Sequence, residues 1–191
     1  VGTASWIYTY LLEYKKGNST YMSWIISSYW AGLTIGRFYF GMMVDKWFIN
    51  EYQAVKFFIK LTMLCTVCVL LLGGIYSHSA LYFTMFGAAL FGCGLFIGPI
   101  FPLLSIIGVD ILDEHIQVKG LSSAISLGSI GAAFIPFLDG LLMNHLGLSS
   151  FPFLILVATV LCLVAIHLYP TLIKGKDAYF NPRPRSVSIS Y

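Results

Sequence analysis

Long hydrophobic runs separated by short polar connections make up most of this sequence of 191 residues. Because about 20 apolar residues cross the hydrocarbon core of a bilayer as a helix, five of these runs predict full membrane spans. The apolar part of the opening run, 1–14, gives only about 18 Å of helix. It predicts the end of a helix that begins upstream, and hence a chain that is a fragment. The predicted full spans are 20–44, 57–76, 80–108, 120–143 and 151–169.

Composition supports this interpretation. Hydrophobic residues make up 58% of the chain and charged residues 10%, whereas soluble domains carry about 25% charged residues. The sequence thus predicts an all-α, polytopic membrane bundle surrounded by lipid. The formal net charge of +3 gives no indication of nucleic-acid binding.

Four cysteines lie within apolar runs, and two of them, Cys65 and Cys68, have a spacing that metal sites use. No second pair and no nearby histidine completes such a site. Free cysteine also behaves as a small buried hydrophobe. We therefore expect packing roles for the cysteines, with no metal and no cofactor.

Lysine and arginine in or near the connections indicate the orientation, because these residues are enriched on the cytoplasmic side. Eight lie on the side of the loop 45–56 and the tail 170–191, and two, Lys15 and Lys16, on the other. We expect a multi-pass protein of the plasma membrane or an organelle membrane, with a cytoplasmic, disordered tail. Asn18 then faces outward in a glycosylation sequon, whose use the sequence leaves open.

Glycine divides the spans into two kinds. Spans 57–76 and 151–169 consist almost entirely of large apolar residues, which suit contact with lipid. The other three repeat glycine at intervals, which lets helix backbones approach each other. We expect the first two spans at the periphery of the bundle and the other three in its interior.

The run FGCGLFIGPIFP, at 91–102, concentrates glycine and proline inside one span. Proline removes a backbone donor and its ring opposes the carbonyl four residues earlier, so Pro99 and Pro102 predict a bend or local unwinding. Interrupted spans of this kind mark binding sites and moving parts in secondary transporters. A static kink that improves packing is the alternative, and the run alone leaves both open.

The segment GMMVDK, at 41–46, resembles the start of the cytoplasmic loop motif of the major facilitator superfamily. The trailing Gly-Arg-Arg portion is absent, as in the weaker copy of the motif that follows the eighth helix. WAGLTIGR, GCGLFIGPIFP and GLSSAISLGSIGAAFIPFLDGLL are similar to the eighth, tenth and eleventh helices of carriers near the fucose-permease and fungal sugar-porter-like branch. SWIYTYLL resembles the end of their seventh helix.

This resemblance implies the second six-helix half of a twelve-helix secondary transporter. Residues 1–14 would end helix 7, and the five full spans would be helices 8 to 12 in chain order. Such carriers move solutes by rocking two halves about a central site. We expect a carrier of a small polar solute, such as a sugar, with or without protons, and no enzymatic activity. The missing amino-terminal half would be the necessary partner, so the chain alone would not transport.

Aromatic and hydroxyl residues are the candidates for solute contact, because aromatic faces hold sugar rings and polar groups fix their orientation. Trp6 and Tyr10 share a helix face at i, i+4, as do Trp30 and Thr34. The resemblance places the matching stretch of helix 7 at the central cavity. Packing between helices, or an interfacial aromatic belt, is the alternative. The candidate substrate-binding residues are Trp6, Tyr10, Ser27, Trp30 and Thr34.

Charged residues and the glycine–proline run supply candidates for gating and coupling. Arg37 is interpreted either as a gate or substrate contact, with Asp110 as a partner, or as a side chain that reaches the headgroups. Asp139 is a candidate proton-coupling carboxylate, with interface exposure as the alternative. The candidate gating and structural residues are Arg37, Gly41, Asp45, Lys46, Gly94, Gly98, Pro99 and Pro102.

Two other classes of function are alternatives to transport. A nontransporting receptor or assembly partner with the same fold could dock a partner through the tail, where Ser186 follows Arg185. An intramembrane enzyme would need clustered histidines or paired carboxylates. The four histidines fall in different connections or helix ends, which argues against an enzyme.

Overall fold

The computed structural model describes residues 2–14, 19–48, 50–75 and 79–172, and within these ranges it contains helices and no strand. A first short helix runs into a π-helical turn at Tyr10–Tyr14, and a 3₁₀ turn at Leu148–Ser150 leads into the last helix. This confirms the predicted all-α bundle. The helices are α1 Gly2–Thr9, α2 Ser19–Trp47, α3 Glu51–Gly74, α4 Ala80–Ile97, α5 Ile100–Ile111, α6 Gln117–Leu146 and α7 Phe151–Leu172.

Most of the helical segments can cross a membrane. In the described ranges, four are both long and apolar enough, namely Glu51–Gly74, Leu81–Ile111, Gln117–Leu146 and Leu148–Thr171. The helix α2 has 29 residues, about 43 Å, so it is long enough to span. It is less apolar than the four because serine, threonine, tyrosine and arginine occur along it.

Two hydrophobic clusters hold the helices together. The first joins α1, α2, α4 and the start of α7 around the buried rings of Tyr10, Phe86 and Phe151. The second joins α3, α5 and α7 around Phe58 and Ile107. The first cluster therefore fixes the position of α1 and its π-helical turn relative to α2, and these segments carry the predicted substrate-binding residues.

The predicted loop at 45–56 is wrong in its length. The helix α2 continues to Trp47, and α3 begins at Glu51, where the Asn50 side chain accepts a hydrogen bond of 3.1 Å from the backbone N–H of Tyr52. Asparagine at this position satisfies a helix N–H that would otherwise lack a partner. The first turns of α3 are also buried, which the hydropathy of the sequence did not reveal.

The helices α6 and α7 are likewise longer than the predicted spans 120–143 and 151–169. Polar residues at both ends of α6 continue its helix beyond the apolar run. The helix α7 includes Pro170 and ends at Leu172, so the first three residues of the predicted tail, 170–191, belong to it. The rest of that tail and the Asn18 sequon lie outside the described residues.

A hydrogen bond from α3 compensates for the proline near the end of α7. Pro170 has no N–H with which to bond the carbonyl of Ile166, four residues earlier. The Tyr52 hydroxyl donates to that carbonyl at 2.8 Å. The bond therefore satisfies a carbonyl that the proline deprives of its usual partner, and it ties α3 to α7.

The division into peripheral and interior spans is only partly met. One side of α3 is buried against α4, α5 and α7, although its composition predicted a peripheral helix. The helix α6 is the least buried of the long apolar helices within this chain, and its predicted interior position stays a prediction for the complete protein. Gly128 and Gly131 in its middle have no atom within 4 Å of where a side chain would begin. Large aliphatic residues suit lipid and core alike, so composition did not separate these cases.

Candidate functional site

The helix α2 has a polar face and an apolar face. Five residues spaced by four, three, four and three positions lie on one side, and all five are exposed in this chain. This spacing follows the 3.6-residue period of a helix, so the side chains form one continuous line. We call this line the polar stripe; it consists of Ser23, Ser27, Trp30, Thr34 and Arg37.

The opposite face of α2 packs against α4 through four glycines. Gly32 and Gly36 of α2 lie against the carbonyl oxygens of Phe91 and Leu95. Gly94 and Gly98, from α4 and its end, lie against backbone atoms of α2 in return. Glycine at each position permits this approach because it has no Cβ.

These contacts are too close for any side chain. A methyl group built on Gly98 would stand 2.5 Å from the carbonyl oxygen of Leu33 and 3.0 Å from the backbone nitrogen of Arg37. A methyl group on Gly32 would stand 3.1 Å from the Leu95 nitrogen. The two helices are therefore locked together backbone to backbone, directly behind the polar stripe.

The helix is interrupted at the predicted point, between α4 and α5. Gly98 and Pro99 form a turn whose backbone angles are still right-handed helical, and Gly98 keeps its hydrogen bond to the Gly94 carbonyl at 3.0 Å. Pro99 removes the donor for the Leu95 carbonyl, the oxygen that Gly36 approaches. Gly98 and Pro99 are both buried. The geometry is a mild break rather than an unwound segment, with Pro102 in the first turn of α5.

The polar stripe carries hydrogen-bonding groups at several positions along the axis of α2. Ser27 and Thr34 donate their hydroxyl protons to backbone carbonyls one turn earlier, Ser27 to Ser23 at 2.9 Å and Thr34 to Trp30 at 3.0 Å. Their oxygens keep acceptor capacity. The Trp30 ring is 48% exposed and stands edge-on to Tyr29, with ring centroids 5.7 Å apart. An aromatic face is thus available beside two hydroxyls.

Trp6 and Tyr10 lie away from the stripe. The Trp6 indole donates a hydrogen bond of 2.7 Å to the Pro136 carbonyl, and its ring covers Gly140 of α6. Tyr10 is buried between Phe86 and Phe151. In this chain both residues join helices, the alternative that their aromatic character left open.

The residues of the loop motif lie at the end of α2. Gly41 has no atom within 4 Å of where a side chain would begin, and Lys46 is exposed. Asp45 belongs to α2, but its side chain lies outside the described part of the structure. Arg37 makes no ion pair or hydrogen bond with any described residue, so the expected pairing with Asp110 is not present.

Asp139 lies in the second half of α6 and is partly buried. Its neighbour in sequence, Gly140, packs under the Trp6 ring. Its role in proton coupling stays a prediction. Nowhere in 2–14, 19–48, 50–75 and 79–172 do three or more histidine, cysteine, aspartate or glutamate side chains come together as a metal site would require.

The sequence patterns did not identify two residues that the structure shows to be relevant. Ser23 begins the polar stripe, and its spacing of four from Ser27 was a sufficient signal. Tyr52 satisfies the carbonyl freed by Pro170, a relationship between residues more than a hundred positions apart that no local pattern indicates.

Comparison with known proteins establishes the family. The sequence profile described as Major Facilitator Superfamily matches residues 2–188. The chain belongs to this superfamily. It is also similar to Bypass of stop codon protein 6 of Saccharomyces cerevisiae (strain ATCC 204508 / S288c), with 38% identity over 180 residues. That alignment covers 94% of this chain and 36% of the yeast protein, so the chain spans little more than a third of that relative. No solved structure matches it.

Membership confirms the resemblance seen in the loop motif and the glycine-rich helices, and it confirms an integral membrane protein. Proteins of the Major Facilitator Superfamily are transporters rather than enzymes, which agrees with the expected absence of enzymatic activity. The fucose-permease-like or sugar-porter-like branch stays a prediction.

Proposed function

We propose that the complete protein containing this chain is a secondary transporter that moves a small polar solute across a membrane by alternating access. The observation that carries this proposal is the polar stripe on a helix long enough to span. Polar and charged side chains are unfavourable against lipid and usually face the bundle interior or a water-filled path. Lining such a path accounts for the low hydropathy of α2 among the long helices.

The residues of the stripe have separable roles in this proposal. Trp30 supplies a flat apolar surface for a solute, and Ser27 and Thr34 supply hydrogen bonds that orient it. An amino-terminal half outside this chain supplies the opposite wall of the path. Trp30, Ser27 and Thr34 by themselves would suit the ring and hydroxyl groups of a sugar or of a sugar-like solute.

The glycine contacts determine how the helices would move. Because Gly36 and Gly98 lock α2 to α4 backbone to backbone, we expect these helices to rock as one body. The break at Gly98 and Pro99 then gives α5 freedom to tilt relative to α4. Movement of this kind exposes a central site to the two sides of the membrane in turn. The tail lies on the cytoplasmic side in this arrangement.

Solute uptake tests the proposal. The complete protein is expressed in cells that lack their own carriers, and uptake of sugars, organic acids and drugs is measured with the protein verified at the membrane. Replacing Trp30→Ala together with Thr34→Val is expected to reduce uptake at least tenfold. Leu161→Ala, at an exposed position of the leucine-rich helix α7, is the control and should keep normal uptake. Unchanged flux for every solute class would contradict the proposal.

A further inference from the structure

The polar stripe ends in one positive charge with no partner in the described part of the chain. Arg37 is exposed and makes neither an ion pair nor a hydrogen bond with another described residue. The other four residues of the stripe are neutral, and none of them is a carboxylate. The stripe therefore presents hydroxyl groups, an indole and a single guanidinium.

Arg37 lies inside the predicted span 20–44 on α2. It precedes the end of that span by seven residues, about 10 Å along the helix, whereas half of the hydrocarbon core is about 15 Å. Ionised side chains at such depth generally pair with another group or line a water-filled path. In the proposed path the Arg37 guanidinium faces water, and no described residue supplies an opposite charge to it.

The backbone of Arg37 is held in place from behind. Gly98 approaches its nitrogen so closely that a methyl group there would stand 3.0 Å away. The arginine is consequently anchored at the level of the break between α4 and α5. A guanidinium anchored at this level can contact a bound solute, and it would move when the helices rearrange at the break.

We propose that the transported solute is a small hydroxylated organic anion, and that the Arg37 guanidinium binds its carboxylate or phosphate group. The guanidinium is planar and donates two parallel hydrogen bonds to either group. Trp30 packs against the body of the solute, while Ser27 and Thr34 bond its hydroxyls. When the site closes around a neutral sugar, the guanidinium loses water and gains no opposite charge, which is unfavourable; an anion supplies that charge. This inference rests on the proposed transport function.

Matched probes test the charge requirement. The complete protein is reconstituted into vesicles, and uptake of labelled glucose, gluconate and glucose 6-phosphate is compared. These probes share a sugar-like body and differ in charge and in the acidic group. We expect at least one of the two anions to enter ten times faster than glucose, and comparing gluconate with glucose 6-phosphate distinguishes a carboxylate from a phosphate.

Substitutions of Arg37 test whether this residue causes the preference for anions over glucose. R37Q should lower anion uptake at least tenfold, whereas R37K, which keeps the charge but not the planar fork, should raise KM with a smaller change in kcat. K60Q is the control for loss of a positive charge: Lys60 is exposed on α3 and is not part of the polar stripe. K60Q should leave anion uptake unchanged.

Several uptake results would contradict the proposal that the solute is an anion bound by Arg37. Glucose uptake that exceeds anion uptake and is unaffected by R37Q would overturn the anion proposal and leave the transport function standing. Normal anion uptake by R37Q would also overturn it, since Arg37 would then have another charge partner. Absence of uptake for all three probes by correctly inserted protein would overturn the anion proposal, whereas the transport function is tested by the wider set of sugars, organic acids and drugs. Should R37Q fail to insert, the KM of R37K decides.

Discussion

Gly98 lies directly against the backbone nitrogen of Arg37, so a methyl group on Gly98 would stand only 3.0 Å from it. This contact joins the break between α4 and α5 to the charged end of the polar stripe on α2. Gly36, the residue before Arg37, lies in turn against the Leu95 carbonyl. The residue types at the break are thus explained by what they touch: only glycine permits the two backbones to meet here.

Adding a methyl group inside this contact should destabilise the protein. Gly36→Ala would drive a Cβ into the Leu95 carbonyl, and overpacking of this kind costs about 1–3 kcal/mol. Gly41→Ala in the same helix is the control, because nothing lies within 4 Å of its added methyl group. Alanine favours a helix over glycine by roughly 0.5–1 kcal/mol. Thermal unfolding of the complete protein in detergent should show a lower Tm for G36A and an equal or higher Tm for G41A; an equal fall in both would refute the glycine packing.

The indole of Trp6 should contribute to stability and that of Trp30 should not. Trp6→Phe keeps an aromatic ring but loses the 2.7 Å hydrogen bond to the Pro136 carbonyl, a loss of about 1 kcal/mol. Trp30→Phe removes no hydrogen bond within the described residues, and its ring is half exposed. We expect W6F to lower the Tm and W30F to leave it unchanged. The opposite ranking would show that the two tryptophans have been assigned the wrong roles.

Tyr52 and Pro170 should be energetically coupled. Tyr52→Phe keeps the ring beneath the Lys56 ammonium group, 4.4 Å away, but leaves the Ile166 carbonyl without the hydroxyl that donates to it. Losing a donor to a buried carbonyl costs about 1–3 kcal/mol. Pro170→Ala restores an N–H to the helix, so Y52F should cost less in the P170A background. A double-mutant cycle of unfolding free energies should give a coupling of at least about 0.5 kcal/mol, and additivity would contradict the assignment.

Helical periodicity was sufficient to predict the exposed part of the site. Ser27, Trp30 and Thr34 fall on one side of α2 because residues three and four apart share a helix face. The position of the break also followed from local chemistry, since Pro99 cannot donate a backbone hydrogen bond. Both inferences needed only neighbouring residues.

Positions that depend on distant contacts could not be predicted in the same way. Tyr10 has the same spacing from Trp6 as Thr34 has from Trp30, yet it lies in the core because Phe86 and Phe151 surround it. An aromatic residue suits a core and a binding face equally well. The exposure of α6 likewise depends on which helices pack beside it, and composition does not record that.

At the beginning of α3 the sequence contains a local helix-start signal, but the hydropathy of the next residues indicated a later start. Asn50 followed by Glu51 is a typical helix start, with a capping residue and an acidic first turn. Hydropathy placed the helix six residues later because 51–56 contains charged and polar residues. Burial of Tyr52 and Val55 against the second cluster stabilises these turns as helix.

Solvent accessibility along α2 tests the central claim most directly, namely that the polar stripe lines an aqueous path. Single cysteines replace Ser27, Trp30 and Thr34 of the stripe, Ile25 of the buried face and Leu161 of α7, in a complete protein whose own cysteines have been removed. A membrane-impermeant methanethiosulfonate reagent is then applied from each side, since thiols react through their ionised form and require water. We predict labelling of the three stripe positions, slowed by a transported solute, and little labelling at 25 and 161. Stripe positions that stay unlabelled from both sides, or a position 161 that labels equally fast, would contradict the account.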